Sequence, residues 1–326
     1  MSMLSLEQPI ETIGAVKALH AGHPVFLLAA DDGSHLVVKQ ESTTDAANMR
    51  RNFLTMNMAS PQARSVILTP PEVEALKRYV KFCRFVAKHD PTSPVPADVS
   101  ELAKYLNAGG TWFKMKEAKG LIDLKAAARQ MLEGDKTGVR AMAKALNESG
   151  GLEALGKIVA ADMFNNNTDR FAPNNAGKVF VKTDTDEVKF DVKCLVNVGN
   201  VMAAMSGGKL KAIGLDSWDP TADGNYADMT KNVGYGWLGD ILAPDKKADR
   251  LKFAQDIADD LNLLLGPRNR KFSFLQQTRL NPDAPKRIAG GMDKMIKKLI
   301  DKMEASLKRP NPPAGLQSRL VKLRGH

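Results

Sequence analysis

A chain of 326 residues, 43% hydrophobic and 26% charged, has room for one large or two ordinary domains with an ample core. It holds no run of about 18 apolar residues, and residues 1–14 lack a basic-then-apolar leader, so neither a bilayer span nor a secretory signal is expected. The two cysteines, Cys83 and Cys194, make no metal or redox spacing; they are expected as small core residues in a reducing, cytoplasmic-type compartment. The net charge of +10 is concentrated from Gly266 onward, where 15 Lys/Arg face 4 Asp/Glu. Such a region suits a solvated face, or a nucleic acid, anionic lipid or acidic protein partner. An acidic partner is preferred here to nucleic acid.

In chain order, residues 14–40 read as three strands. Segments 15–19 and 25–30 flank His20-Ala21-Gly22-His23-Pro24, and Asp31-Asp32-Gly33-Ser34 is a hairpin turn before 35–39. Lys39 closes an apolar strand, Leu36-Val37-Val38, which is common at strand ends and is also where kinase-type folds keep a phosphate-binding lysine. Ser42-Thr43-Thr44-Asp45 reads as the cap of a helix running to about residue 58. Glu41 and Asp45 are the acids near enough in sequence to hold Lys39. Pro61 ends that helix, and 65–68 is a short strand.

The periodicity of 71–89 predicts a helix with Val73, Leu76, Val80, Cys83 and Val86 inward and Lys77, Arg78, Lys81, Arg84 and Lys88 in solvent. A stiff Pro-rich loop follows over 90–96. Ser100 is expected to cap a helix that ends at Asn107-Ala108-Gly109-Gly110. Residues 111–115 read as a strand. The connector 116–120 after Met115 is a candidate hinge, where backbone groups of Glu117 and Ala118 would bond an adenine edge.

Residues 121–146 read as one Ala- and Lys-rich helical stretch, broken at Ser149-Gly150-Gly151. Leu155, Ile158, Val159 and Met163 then mark an apolar helix that runs into Asn165-Asn166-Asn167-Thr168-Asp169-Arg170 and Pro173. Asn/Asp-rich loops are usually turns, because these side chains bond their own backbone. Here, though, two β-prone runs follow, 179–181 and 188–190, with a polar turn between them and Asp191 where the second is expected to stop. Helix, polar loop, hairpin, acid is the order of phosphotransfer sites. There one Asp takes the hydroxyl proton, and an Asn about five residues on and a later Asp hold magnesium. Asp169 with Asn174 fits that spacing, and Asn175 is one residue off it.

Beyond the hairpin, 194–201 is apolar, and 205–237 is expected to be irregular with Trp218, Tyr226, Tyr235 and Trp237 as packing anchors. Helices are expected over 247–265 and 291–307, the second with Lys294, Lys297, Lys298 and Lys302 on its outer face. Residues 309–326 are expected as a loosely held basic tail.

The segment Leu155-Gly156-Lys157, Asp162, Asn166-Asn167, Asp169-Arg170, Pro173 and Asn175-x-Gly177 resembles the actin-fragmin kinase catalytic domain. That family of divergent protein Ser/Thr kinases shares with phosphoinositide kinases an Asp-Arg order in its loop. The resemblance continues in Leu36-Val37-Val38-Lys39 and in Met115 to Gly120. It implies an α+β, two-lobed kinase-like fold using ATP and magnesium: a small β-rich N-lobe over 1–115 with a helical insert at about 71–107, a larger helical C-lobe over 116–308, and the tail 309–326. It further implies Asp169 as catalytic acid/base, Asn174 or Asn175 and Asp191 as metal ligands, and Lys39 as the phosphate lysine. Asp45 would serve the nucleotide side, Met115, Glu117 and Ala118 the hinge, and Asn167 and Arg170 would brace the loop. The chain departs from the family where a glutamate is due in the first turns after the lysine, reading Thr43-Thr44-Asp45-Ala46-Ala47. The expected activity is phosphorylation of Ser/Thr in a protein substrate. Its alternatives are a pseudokinase binding module gripping an acidic partner, or a kinase fold acting on a lipid or small molecule. Secreted bacterial effectors often carry such divergent domains, so delivery into a host cell is a further expectation.

Overall fold

The computed structural model describes residues 4–19, 24–42, 46–90, 92–148, 150–165, 167, 170, 176–182, 187–193, 196, 200–215, 241–266, 279–312 and 316–325, with backbone alone at 48, 132, 176–182 and 187–193. The protein is mixed α+β. Its chain divides into two compact units, 1–53 with 63–117, and 54–62 with 118–326. Among the described residues no helix is long and apolar enough to cross a membrane.

The first unit is built on an antiparallel sheet of β1 (Ala15–Ala18), β2 (Val25–Ala29), β3 (His35–Glu41), β4 (Ser65–Ile67) and β5 (Thr111–Met115), in the order β1-β2-β3-β5-β4. Strand alternation sends Phe26, Leu28, Leu36 and Val38 to one face, where they join the buried residues Leu76 and Val80 of α2 (Pro70–His89) and Val99 and Leu102 of α3 (Ala97–Ala108). Both helices lie in sequence between β4 and β5. The α3 helix starts at Ala97, so Ser100 sits inside its first turn rather than at its cap; Pro96 occupies the N-cap. Helix α1 (Ala46–Ala59) follows β3, and its Phe53 ring packs at 4.7 Å from Phe113 of β5. Cys83 is half-buried against the core. Cys194 and the turn around Gly22 lie outside the described residues.

The start of α2 is fixed by a charged cluster. The Glu72 carboxylate accepts hydrogen bonds from the amide and hydroxyl of Thr69, both at 2.8 Å, closing a capping box behind Pro70 and Pro71. It also accepts from the Ile10 amide at 3.2 Å and pairs with Lys114 of β5 at 2.8 Å. Lys114 in turn donates to the carbonyls of Ser5 and Gln8. Both charged side chains are 3% exposed, so the N-terminal segment is latched to the sheet through a fully desolvated pair.

The second unit is mainly helical. The stretch 121–146 is not one helix. It opens with β6 (Ile122–Asp123) and splits into α4 (Leu124–Leu132) and α5 (Thr137–Asn147). Gly134 adopts φ 100°, which ends α4, while Asp135 accepts from the Thr137 amide at 2.8 Å to start α5. Helix α6 (Gly151–Asn165) is apolar on nearly every side and buried almost throughout. Helices α7 (Lys247–Leu265), α8 (Ala284–Leu307) and α9 (Leu316–Arg324) complete the layer. The α8 helix begins seven residues earlier than periodicity suggests and runs straight through Gly290-Gly291. Gly291 is needed there: a Cβ on it would lie 2.2 Å from the Glu153 carbonyl, and one on Gly156 would lie 2.0 Å from that of Ile288.

Two further expectations are corrected in this unit. Part of the glycine-rich region forms a hairpin, β9 (Met202–Ser206) with β10 (Lys209–Ile213), because Gly207 and Gly208 supply the positive φ values of its two-residue turn. The remainder, 216–240 with Trp218, Tyr226, Tyr235 and Trp237, lies outside the described residues. The tail is not loose either: α9 buries Leu320 and Leu323 in the main core, and its Arg319 guanidinium stands 4.5 Å over the Phe164 ring. Tertiary contact thus supplies what nine residues of weak amphipathic sequence do not.

Candidate functional site

The end of α6 carries a carboxylate where the sequence is otherwise apolar. Asp162 is 1% exposed, which is tolerable only if its charge is matched. It is matched by Arg170, also 1% exposed, whose Nη1 lies 2.6 Å from Asp162 Oδ2. The other carboxylate oxygen, Oδ1, accepts from Asn167 Nδ2 at 3.0 Å, and the Asp162 carbonyl accepts from the Asn167 amide at 2.8 Å. Arg170 also donates to backbone: Nε to the Asn200 carbonyl at 2.9 Å, and Nη2 to the carbonyl of Leu215. One acid therefore holds both Asn167 and Arg170, and one guanidinium reaches backbone just before β9 and just after β10. The planar fork of Arg suits this task, and a lysine would lose most of it.

Asn167 and Arg170 are thus both buried and both bonded to Asp162. Asp169, between them in sequence, lies outside the described residues, as do Asn174 and Asn175. Sequence reasoning gave Asp162 a place in the motif but no role; the signal was there, since a lone acid in the run Ile158–Phe164 has to find a partner.

Downstream, β7 (Ala176–Lys182) pairs with β8 (Glu187–Lys193), both longer than expected. Asp191 does not mark the strand's exit. It lies within β8, opposite Lys178, because the alternation Val188, Phe190, Val192 carries the strand two residues further.

In the first unit, β3 is the central strand, flanked by β2 and β5. Lys39 points to the face opposite the α2–α3 core, across from Phe113, with its Nζ 6.0 Å from that ring centroid. Its amine pairs with Glu41, two residues on and on the same face, at 2.7 Å, and both side chains are 18% exposed. Of the two acids that sequence offers to Lys39, Glu41 makes this contact; Asp45 lies outside the described residues. Helix α1 itself contains no acidic residue.

Met115 is buried at the end of β5, opposite Val37. Glu117 ends the first compact unit and approaches His35 Nδ1 at 3.5 Å; Ala118 opens the longer segment of the second. Among the described residues, no three His, Cys, Asp or Glu side chains group as a metal site.

No protein-family model matches the chain, and no curated protein matches it.

Proposed function

We propose that the chain is a divergent, two-lobed kinase-like enzyme that phosphorylates Ser or Thr of a protein substrate, using ATP and magnesium. The observation that carries this reading is the buried brace in which Asp162 grips Asn167 and Arg170 on either side of Asp169. A loop held this way is preorganised, and phosphoryl transfer depends chiefly on positioning and electrostatics. A lysine on the third and central strand of an antiparallel sheet, with the last-entered strand β5 feeding the connector 116–120, supports the same reading.

In this reading Asp169 orients the substrate hydroxyl and accepts its proton, while Arg170 and Asn167 fix the loop and never touch substrate. Lys39 neutralises phosphate charge and Glu41 holds its amine in place, the role that an acid on the following helix has in the resembled family. Amide and carboxylate oxygens of Asn174 or Asn175 and Asp191 are a donor set that suits magnesium, which would supply charge neutralisation when bound. Backbone groups of Glu117 and Ala118 would take the adenine edge.

The purified chain is expected to transfer labelled phosphate from ATP to Ser or Thr in a protein mixture. Asp169→Ala should lower the rate about a hundred- to ten-thousandfold, with folding unchanged by circular dichroism. Transfer by the Asp169→Ala and Asp191→Ala variants equal to the parent would sink the enzyme reading. Mass spectrometry of the product separates a protein acceptor from a lipid or small molecule. Glu41→Gln is expected to lower transfer about a hundredfold, with little effect on thermal unfolding, because a misplaced lysine costs rate rather than stability; an unchanged rate would remove Glu41 from the site.

The on-strand pairing of Lys39, with no acid on α1, favours a second reading: a kinase-shaped binding module of little activity. Its basic C-terminal region would then grip an acidic partner through exposed Lys297 and Lys298 of α8. Salt-sensitive association lost on neutralising that pair, together with no phosphate transfer, is its signature.

A further inference from the structure

Helix α2 buries Ala75, Leu76 and Val80 in the core and leaves two phenylalanines outside it: Phe82 is 62% and Phe85 61% exposed. They are spaced i, i+3 on one face, and the next member of that stripe, His89, leans over Phe85 with ring centroids 4.1 Å apart and planes tilted by 36°. From Arg78 to His89 the helix has no acidic residue, and Arg78, Lys81, Arg84 and Lys88 all stand exposed beside the rings. Among the described residues these four cations make no ion pair. The upstream Lys77 does, with Glu74 at 2.7 Å.

A solvated face explains the cations but not the phenylalanines, since rings of that size are the side chains a surface helix ordinarily turns inward. We propose that the outer face of α2 docks on an anionic lipid surface, with Phe82 and Phe85 entering the headgroup–acyl boundary and Arg78, Lys81, Arg84 and Lys88 bonding lipid phosphates and carboxylates. Three features favour this occupant. The charge is of one sign over three turns, complementary to an anionic leaflet. Both rings project from a convex helix, so a protein partner would have to supply a matching groove, whereas lipid fills around them. One face of the Phe85 ring is already covered by His89, which hampers stacking of a nucleic acid base but not burial among acyl chains. The helix is pinned at its start by the Thr69–Glu72 cap and the Lys114 pair, so the face is presented already folded.

The test is cosedimentation of the full chain with vesicles of phosphatidylcholine, with and without phosphatidylserine. The chain is expected to bind only the anionic vesicles. Phe82→Ser with Phe85→Ser should lower partitioning about tenfold or more. Replacing the four cations by Gln should lower it about fivefold for each. All these side chains lie outside the core, so both variants should keep the parent's thermal unfolding. Lys297→Gln with Lys298→Gln on α8 should bind like the parent. The proposal is overturned if anionic vesicles are not bound, if binding survives either α2 variant, or if the α8 variant weakens it as much. It is equally overturned if the α2 variants lose affinity for single-stranded RNA or an acidic peptide while the parent binds no vesicles.

Discussion

Asp162→Ala is expected to destabilise the second unit by about 3–5 kcal/mol, the usual result of stranding one member of a buried ion pair. The loss is this large because Arg170 is 1% exposed and cannot turn to water when the carboxylate 2.6 Å from its Nη1 is removed. Asp162→Asn preserves the shape and the bond from Asn167 but drops the charge, so it should fall between Ala and the parent. Arg170→Ala leaves the opposite charge behind and should be comparably severe. The pair acts as a unit, so the Asp162→Ala, Arg170→Ala double variant should be less unstable than the sum of the singles. Chemical denaturation of the parent and the four variants checks this. Additive losses would mean that the two groups stabilise the fold independently and that the brace is not one device.

Glu72→Gln is expected to destabilise the first unit by a similar amount, about 3–5 kcal/mol, and in a manner that reads out against pH. Burial pushes the Glu72 carboxyl up, but the Lys114 pair and the hydrogen bonds from Thr69 and Ile10 outweigh it and hold the group below its ordinary value of 4.5. A carboxylate whose folded value is depressed contributes stability in full above its unfolded value and loses it as pH falls through the folded one. The parent should therefore be steadily weakened below about pH 4.5, and Glu72→Gln should lose this part of the acid sensitivity. Gln can keep much of the capping box, so the deficit comes from leaving the Lys114 ammonium buried against the carbonyls of Ser5 and Gln8 alone. Adding Lys114→Met should recover most of it, since an apolar group of like size removes the stranded charge. Thermal melts of these variants across acid pH provide the measurement.

Much of the fold was legible because local and tertiary preferences agree. The strand Thr111–Met115 is bounded by Gly109-Gly110 and a charged connector, and α2 carries both a capping box and a strict apolar stripe. Legibility failed where one residue type masks another's signal. The Ala-rich run hid the stop at Gly134. The strand Met202–Ser206 lacks β-branched residues, so its pairing rests on the Gly-Gly turn. The helix Leu316–Arg324 depends on a core that no local pattern reveals.

At the site, the order of residues suggested a loop held by Asn167 and Arg170, but a spacing rule names positions and not the group they converge on. That group, Asp162, is recognisable only through the energetics of a charge without water. The same logic applies to Glu41: period-two alternation puts it beside Lys39, while analogy looked to the helix beyond.

The crossing of α6 and α8 through Gly156 and Gly291 has a consequence for where the end of α6 is set. Sliding α8 by one turn would bring Arg287 or Met295 to a point where even a methyl group cannot fit, so the axial registry of the two helices is quantised to a single setting. The C-terminal end of α6, and with it the buried Asp162, is consequently indexed by a notch one hydrogen atom deep on each helix.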